Sequence, residues 1–284
     1  MIYNSNKYLL KREIIKMKNI KKFLLIVLII ILNSCDINIL TKYEKYVNYK
    51  SYNILPNSGM MFNPINTLDI NWLNGNIEIT KSTEYDKVTI FEKTADEYKK
   101  DDFLCHYYRK DDTLFVKYAK SNISMPKKIN KSLSVYIPSD MKLDCINIDA
   151  VSSNISLSNI AINSLDVETV SGKIEISDTN IKEMNFETVS GNIMAFVDNN
   201  TTKVNVDSVS GSIILSVCED IKGFEVDFDT KTGTFTKDFD VVRNSKNNYA
   251  YMDSSLLSLT IKTVSGNLSI AKNIIDKINN SRKK

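Results

Sequence analysis

The stretch Leu165-Asp166-Val167-Glu168-Thr169-Val170-Ser171-Gly172-Lys173-Ile174-Glu175-Ile176 decides how the rest of the chain is read. Measured from Gly172, apolar residues stand seven, five and two places before and two and four places after. The same template returns around Gly75, Ser153, Gly191, Gly211, Gly233 and Gly266, seven copies in all. Alternation with period two on either side of a turn is the mark of strands. From Ser153 to Gly233 successive centres lie 19, 19, 20 and 22 residues apart. Two short strands and two turns fill such a period, whereas helical repeats need about 33 residues or more. The fold class expected is all-β, a single-chain β-solenoid of ~20-residue coils.

One coil buries only about five apolar side chains, too few to offset the entropy of ordering it. Coils must therefore stack, at the ~4.8 Å spacing of paired strands. Equivalent positions then form columns: Leu165, Met184 and Val204 in one, Ile174, Ile193 and Ile213 in another. Ser171, Ser190, Ser210 and Ser265 make a column whose hydroxyls can bond along the stack. The glycines Gly75, Gly172, Gly191, Gly211, Gly233 and Gly266 are expected to take positive φ in the turn, and Ser153 to turn differently. The 33-residue interval from Gly233 to Gly266 exceeds a normal coil, so residues 238–256 read as an inserted loop or hairpin. Ahead of the run, 103–108 and 113–118 read as a hairpin, and 133–137 as a strand stopped by Pro138.

The N-terminus reads as an address. Met17-Lys18-Asn19-Ile20-Lys21-Lys22 is a basic head, residues 23–32 are continuously apolar, and Asn33-Ser34-Cys35 follows. That is the layout of a secretory signal. Ten apolar residues are too few to cross ~30 Å of hydrocarbon as a helix. Leu32-Asn33-Ser34-Cys35 resembles a bacterial lipobox, which implies lipidation of Cys35 and a membrane-anchored protein of the cell envelope, outer-membrane, periplasmic or at the surface. The domains expected are a signal region over 1–34, lipidated Cys35 and a tether over 35–65, the solenoid over 66–270, and a basic tail over 271–284. The tether repeats tyrosine every third residue at Tyr43, Tyr46, Tyr49 and Tyr52, either an amphipathic stripe or incidental spacing.

The 284 residues are 43% hydrophobic, enough for a packed core. The net charge of +3 is concentrated at the termini, so no basic stripe marks a nucleic-acid binder. Besides Cys35 there are Cys105, Cys145 and Cys218, with no C-x-x-C pair and hence no zinc-site spacing. They read as small buried fillers. No metal, cofactor or catalytic residue is assigned.

The Val-Ser-Gly-x-Ile repeats, preceded by the Val-x-Ile-Pro strand at 135–138, resemble the bacterial putative-adhesin family of unknown function over roughly residues 65–270. The resemblance implies a right-handed β-helix or β-roll of envelope and exported proteins, without catalytic residues to carry over.

The most suggestive surface feature is an outward column of acids four places before each turn: Asp149, Glu168, Glu187, Asp207 and Asp229. Like charges one rung apart repel by roughly 1 kcal/mol in high dielectric. The column reads as a face for cations, for a basic protein or for a polysaccharide partner; the plainer reading is a solvated polar face. A glycosidase-like pair would need two carboxylates in different environments, and ladder equivalents do not differ in that way. Met194 and Ile214 also point outward, expected against the N-terminal strands or as a partner patch. His106, the sole histidine, reads as structural or surface-exposed. The function expected is a non-enzymatic binding or structural surface. An envelope sensor is the alternative and a carbohydrate-active enzyme a distant third.

Overall fold

The computed structural model describes residues 46, 48–56, 58–94, 100–124, 129, 131–253 and 256–273. Within them the chain is all-β apart from one short 3-10 turn, Tyr49–Ser51. The expected signal region, Cys35, Tyr43 and the tail beyond Asn273 lie outside the described residues.

In chain order the strands begin with β1 (Asn53–Ile54), β2 (Met60–Phe62), β3 (Thr67–Ser82), β4 (Val88–Lys93), β5 (His106–Lys110), β6 (Thr113–Lys117) and β7 (Lys131–Pro138). The repeat proper is β8 (Cys145–Ser158), β9 (Ala161–Ser171), β10 (Lys173–Ser177), β11 (Asn180–Thr188), β12 (Asn192–Val197), β13 (Lys203–Ser208) and β14 (Ser212–Val217). The last part is β15 (Gly223–Thr230), β16 (Phe235–Lys237), β17 (Val242–Arg243), β18 (Asn248–Met252), β19 (Ser258–Thr263) and β20 (Asn267–Lys272).

Two parallel strand columns follow, one before and one after the turn, and together they make an open β-solenoid. The first half of β3 pairs with β8, then come β9, β11 and β13, all parallel. Beside it run the second half of β3, then β8, β10, β12 and β14. Leu165, Met184 and Val204 are in register, as are Ile174, Ile193 and Ile213. Their side chains fill the interior as a continuous apolar column.

Stacking does not follow chain order at either end. β19 lies between β13 and β15, and β20 between β14 and β16. The last coil is thus wedged one step inside the end. At the other end, β3 lies between the β6/β7 coil and β8. The first repeat is tucked in the same way. Both outer coils then carry antiparallel strands: β5 and β1 on β6, β4 and β2 on β7, β18 and β17 on β15. A run of unpaired parallel edge is an aggregation liability, and short reversed strands blunt it. Residues 238–256 do hold a hairpin, β17–β18, but it serves to bring the chain back for insertion.

The glycine column corrects the positive-φ expectation. Gly75, Gly172 and Gly211 take φ of 100°, 118° and 117°, whereas Gly191, Gly233 and Gly266 do not take positive φ. What these three share is crowding. A Cβ on Gly191 would stand 2.9 Å from the Gly172 carbonyl oxygen and 2.6 Å from Thr188 Oγ1. The threonine three places before the turn explains the second contact. Thr188, Thr230 and Thr263 each accept the amide of the following Gly191, Gly233 or Gly266, all at 2.8 Å. The serine hydroxyls of Ser190, Ser210 and Ser265 donate to Val170, Val189 and Val209 carbonyls of the adjacent coil. Ser153 is buried within a strand that runs unbroken through the corner, as β3 does through Gly75.

The expected tether is part of the fold from Tyr46 onward. Leu55, Phe62 and Ile65 are fully buried, and Tyr46 packs on Tyr52 with ring centroids 4.6 Å apart. Tyr52 in turn packs on Tyr108. Aromatic contact, rather than an alternating pattern, holds this stretch to the body.

Candidate binding face

In each coil, the positions six and four places before the turn face outward. At the fourth place the spatial order is Lys117, Asn71, Asp149, Glu168, Glu187, Asp207, Lys262, Asp229. Inserting β19 puts Lys262 between Asp207 and Asp229, where chain order would have left the two acids adjacent. Four acids therefore stand in unbroken succession, one rung of ~4.8 Å apart, with Asn71 and then Lys117 beyond one end and Lys262 closing the other.

The sixth place behaves differently. Its order is Asp69, Asn147, Asp166, Asn185, Asn205, Thr260, Asp227. Asn185 Nδ2 donates to Asp166 Oδ1 at 2.7 Å, and Asn205 Nδ2 to Asn185 Oδ1 at 2.7 Å. Amides alternate with or follow the acids there, and the column satisfies itself. Asp69 is also 3.7 Å from the Lys117 ammonium.

The fourth-place column has amide contacts of its own. Asn71 Nδ2 donates to Asp149 Oδ2 at 2.7 Å, and Asn247 Nδ2 to Asp229 Oδ1 at 3.2 Å. Burial against the neighbouring rungs, with the Asp149 and Glu187 charges on either side, pushes the Glu168 carboxyl up to about 7. Burial also raises Asp149, opposed by the Asn71 hydrogen bond and the Lys117 charge. Near neutrality the face can thus take up a proton at Glu168 or be relieved by an external cation. Among the described residues, no three His, Cys, Asp or Glu side chains are placed to hold a metal ion.

Other sequence candidates fall elsewhere. Met194 sits between Glu175 and Ile214 on the second column of strands, half-buried with Ile214. β12 pairs with β10 and β14, whereas the N-terminal strands β1 and β2 pair with β5 and β4 at the far end, which corrects the expected contact. His106 is buried, its Nδ1 2.8 Å from the Leu104 carbonyl oxygen, so it is not a surface residue. Cys105 and Cys218 are buried, Cys145 half-buried, and all three are free.

Sequence reading missed a buried polar knot at the N-terminal end. Lys131 occupies the glycine column, in register with Gly75, and is fully buried. Its ammonium meets Glu92 Oε1 at 2.5 Å and donates to the Phe103 carbonyl at 2.7 Å and to the Tyr118 carbonyl. The Tyr118 ring centroid lies 4.0 Å away. A lysine in a glycine position breaks the template, and that break was the available signal.

The architecture and its outward ladders define an open β-solenoid with repeated Thr-Val-Ser-Gly turns. The chain belongs to the Toastrack DUF4097 family, whose model matches residues 65–169 and 140–271. No curated protein matches it. Among solved structures it is similar to a putative cell adhesion protein from Clostridium sporogenes, at 13% identity and a TM-score of 0.43, covering 78% of this chain and 97% of that one. It is also similar to a putative adhesin from Bacteroides fragilis, at 16% identity and a TM-score of 0.36, covering 74% and 94%. No helix among the described residues is long and apolar enough to cross a membrane.

Proposed function

We propose that the protein is a non-enzymatic, lipid-anchored component of the bacterial cell envelope whose acidic ladder captures a cationic partner, a basic protein segment or a positively charged polysaccharide. The observation that carries this reading is the unbroken run Asp149, Glu168, Glu187, Asp207, in which burial, together with the charges of Asp149 and Glu187, holds Glu168 near 7. A face that serves only solubility has no need of four acids on consecutive rungs. The alternating amides of the adjacent column are the cheaper solution, and the protein uses them two residues away along the same strands. Family membership indicates no enzymatic class.

Poly-L-lysine titrated into the purified protein tests the binding face. Wild type is expected to bind in a salt-sensitive manner, and Glu168→Gln/Glu187→Gln to bind at least tenfold more weakly. Equal affinity of the two proteins overturns the reading. Anchoring is tested separately by palmitate incorporation in cells, which Cys35→Ala must abolish.

A further inference from the structure

We propose that the N-terminal end of the stack rests on the lipid surface through Ile54, Met60 and Met61. The inference depends on the reading that Cys35 carries the anchor. It concerns which end of the rod that anchor presents to the bilayer.

Three observations carry it. First, the leash is short: Cys35 to Tyr46 is eleven residues, at most about 40 Å when fully extended. Second, the leash enters the body at one end. Tyr46 is buried beside Ser121 and Ala119, next to the outermost strands β1 and β2, each paired on one side only. Third, those strands expose Ile54 to 37%, Met60 to 36% and Met61 to 52%, while Leu55 and Phe62 beside them are locked into the core. The apolar side chains are therefore presented on a fixed frame.

Charges at this end are mixed. Lys87 and Lys110 are exposed, and so are Asp86 and Asp112. Contact would therefore be apolar, by insertion at the headgroup boundary, rather than attraction to anionic lipid. The opposite end also exposes apolar residues, Val242, Met252 and Leu256. However, it lies eleven strand spacings away, about 50 Å at ~4.8 Å each. An upright rod holds that end off the membrane and keeps the acidic face clear of the headgroups.

The test uses the mature chain, residues 35–284, which contains the whole compact unit Thr41–Lys284. Carrying Cys145→Ser, it is coupled through Cys35 to maleimide lipid in phosphatidylcholine vesicles, so the result does not depend on cellular lipidation. Peroxide oxidation of each methionine is followed by mass spectrometry on the vesicle and free in solution. Met60 and Met61 are expected to oxidise at least fivefold more slowly on the vesicle, with Met252 unchanged at 71% exposure. Ile54→Asp is expected to restore the solution rates. Unchanged rates at Met60 and Met61, equal slowing at Met252, or protection that survives Ile54→Asp would each overturn the seating. The mass of protein extracted from membranes reports separately whether Cys35 is lipidated.

Discussion

Lys131 Nζ and Glu92 Oε1 lie 2.5 Å apart, with their side chains 0% and 4% exposed. Lys131 stands where the next coil has Gly75. At this end the glycine column is closed by a long, buried side chain. Burial depresses the ammonium, the Glu92 charge opposes that, and the carbonyls of Phe103 and Tyr118 complete its hydrogen bonds.

Removing one partner should be worse than removing both. Glu92→Leu leaves a buried ammonium without its counter-charge and is expected to cost about 3–5 kcal/mol. Lys131→Met/Glu92→Leu is expected to recover at least half of that loss, as measured by urea denaturation.

The glycine column separates two kinds of cost. Gly211→Ala faces both an unfavourable φ of 117° and the Gly191 carbonyl, and is expected to lose roughly 2–4 kcal/mol. Thr188→Val removes only the acceptor for the Gly191 amide, and is expected to lose about 1–2 kcal/mol. Thr169→Val should cost less, because Thr169 donates to the Ser171 carbonyl and serves no glycine. Denaturant midpoints of the three variants give the order.

Glu168 sets a pH dependence. Its carboxyl is raised in the folded state from 4.5 to about 7, so the unfolded chain releases this proton first. Its contribution is fully present below about pH 4.5 and is lost as pH rises towards 7. Solvent screening at this partly exposed position limits the loss to on the order of 1–2 kcal/mol. Melting temperatures between pH 5 and 8 should fall less steeply in Glu168→Gln than in wild type.

Truncation tests the wedge. A sequentially stacked solenoid shortened by its last coil loses one interface. Here a chain ending at residue 255 loses β19 and β20, leaving β13, β14, β15 and β16 each without a partner strand on one edge. Hydrogen exchange is expected to show lost protection across 203–237, not fraying confined to the end.

The ~20-residue period and the columns around Gly172 were legible because each rung repeats the same five apolar positions. The order of the final coil was not. Leu259 and Ile261 match Val204 and Val206 as well as they match Val226 and Phe228, so apolar pattern cannot distinguish a wedge from an end rung. The acids were legible by residue, but their unbroken run of four depended on where Lys262 lands. The burial of Tyr46 and of Lys131 escaped notice for a shared reason: each is buried through its own polar partners, which lie about 75 and 40 residues away along the chain.

Because the first and last repeats are each plugged one step in from the ends, duplicating either of them would leave a rung with nowhere to go. An extra unit copied from the middle, between Gly172 and Gly211, would slide in without disturbing either plug. Evolution can lengthen such a rod only from its interior, so its reach can vary while both of its ends stay the same.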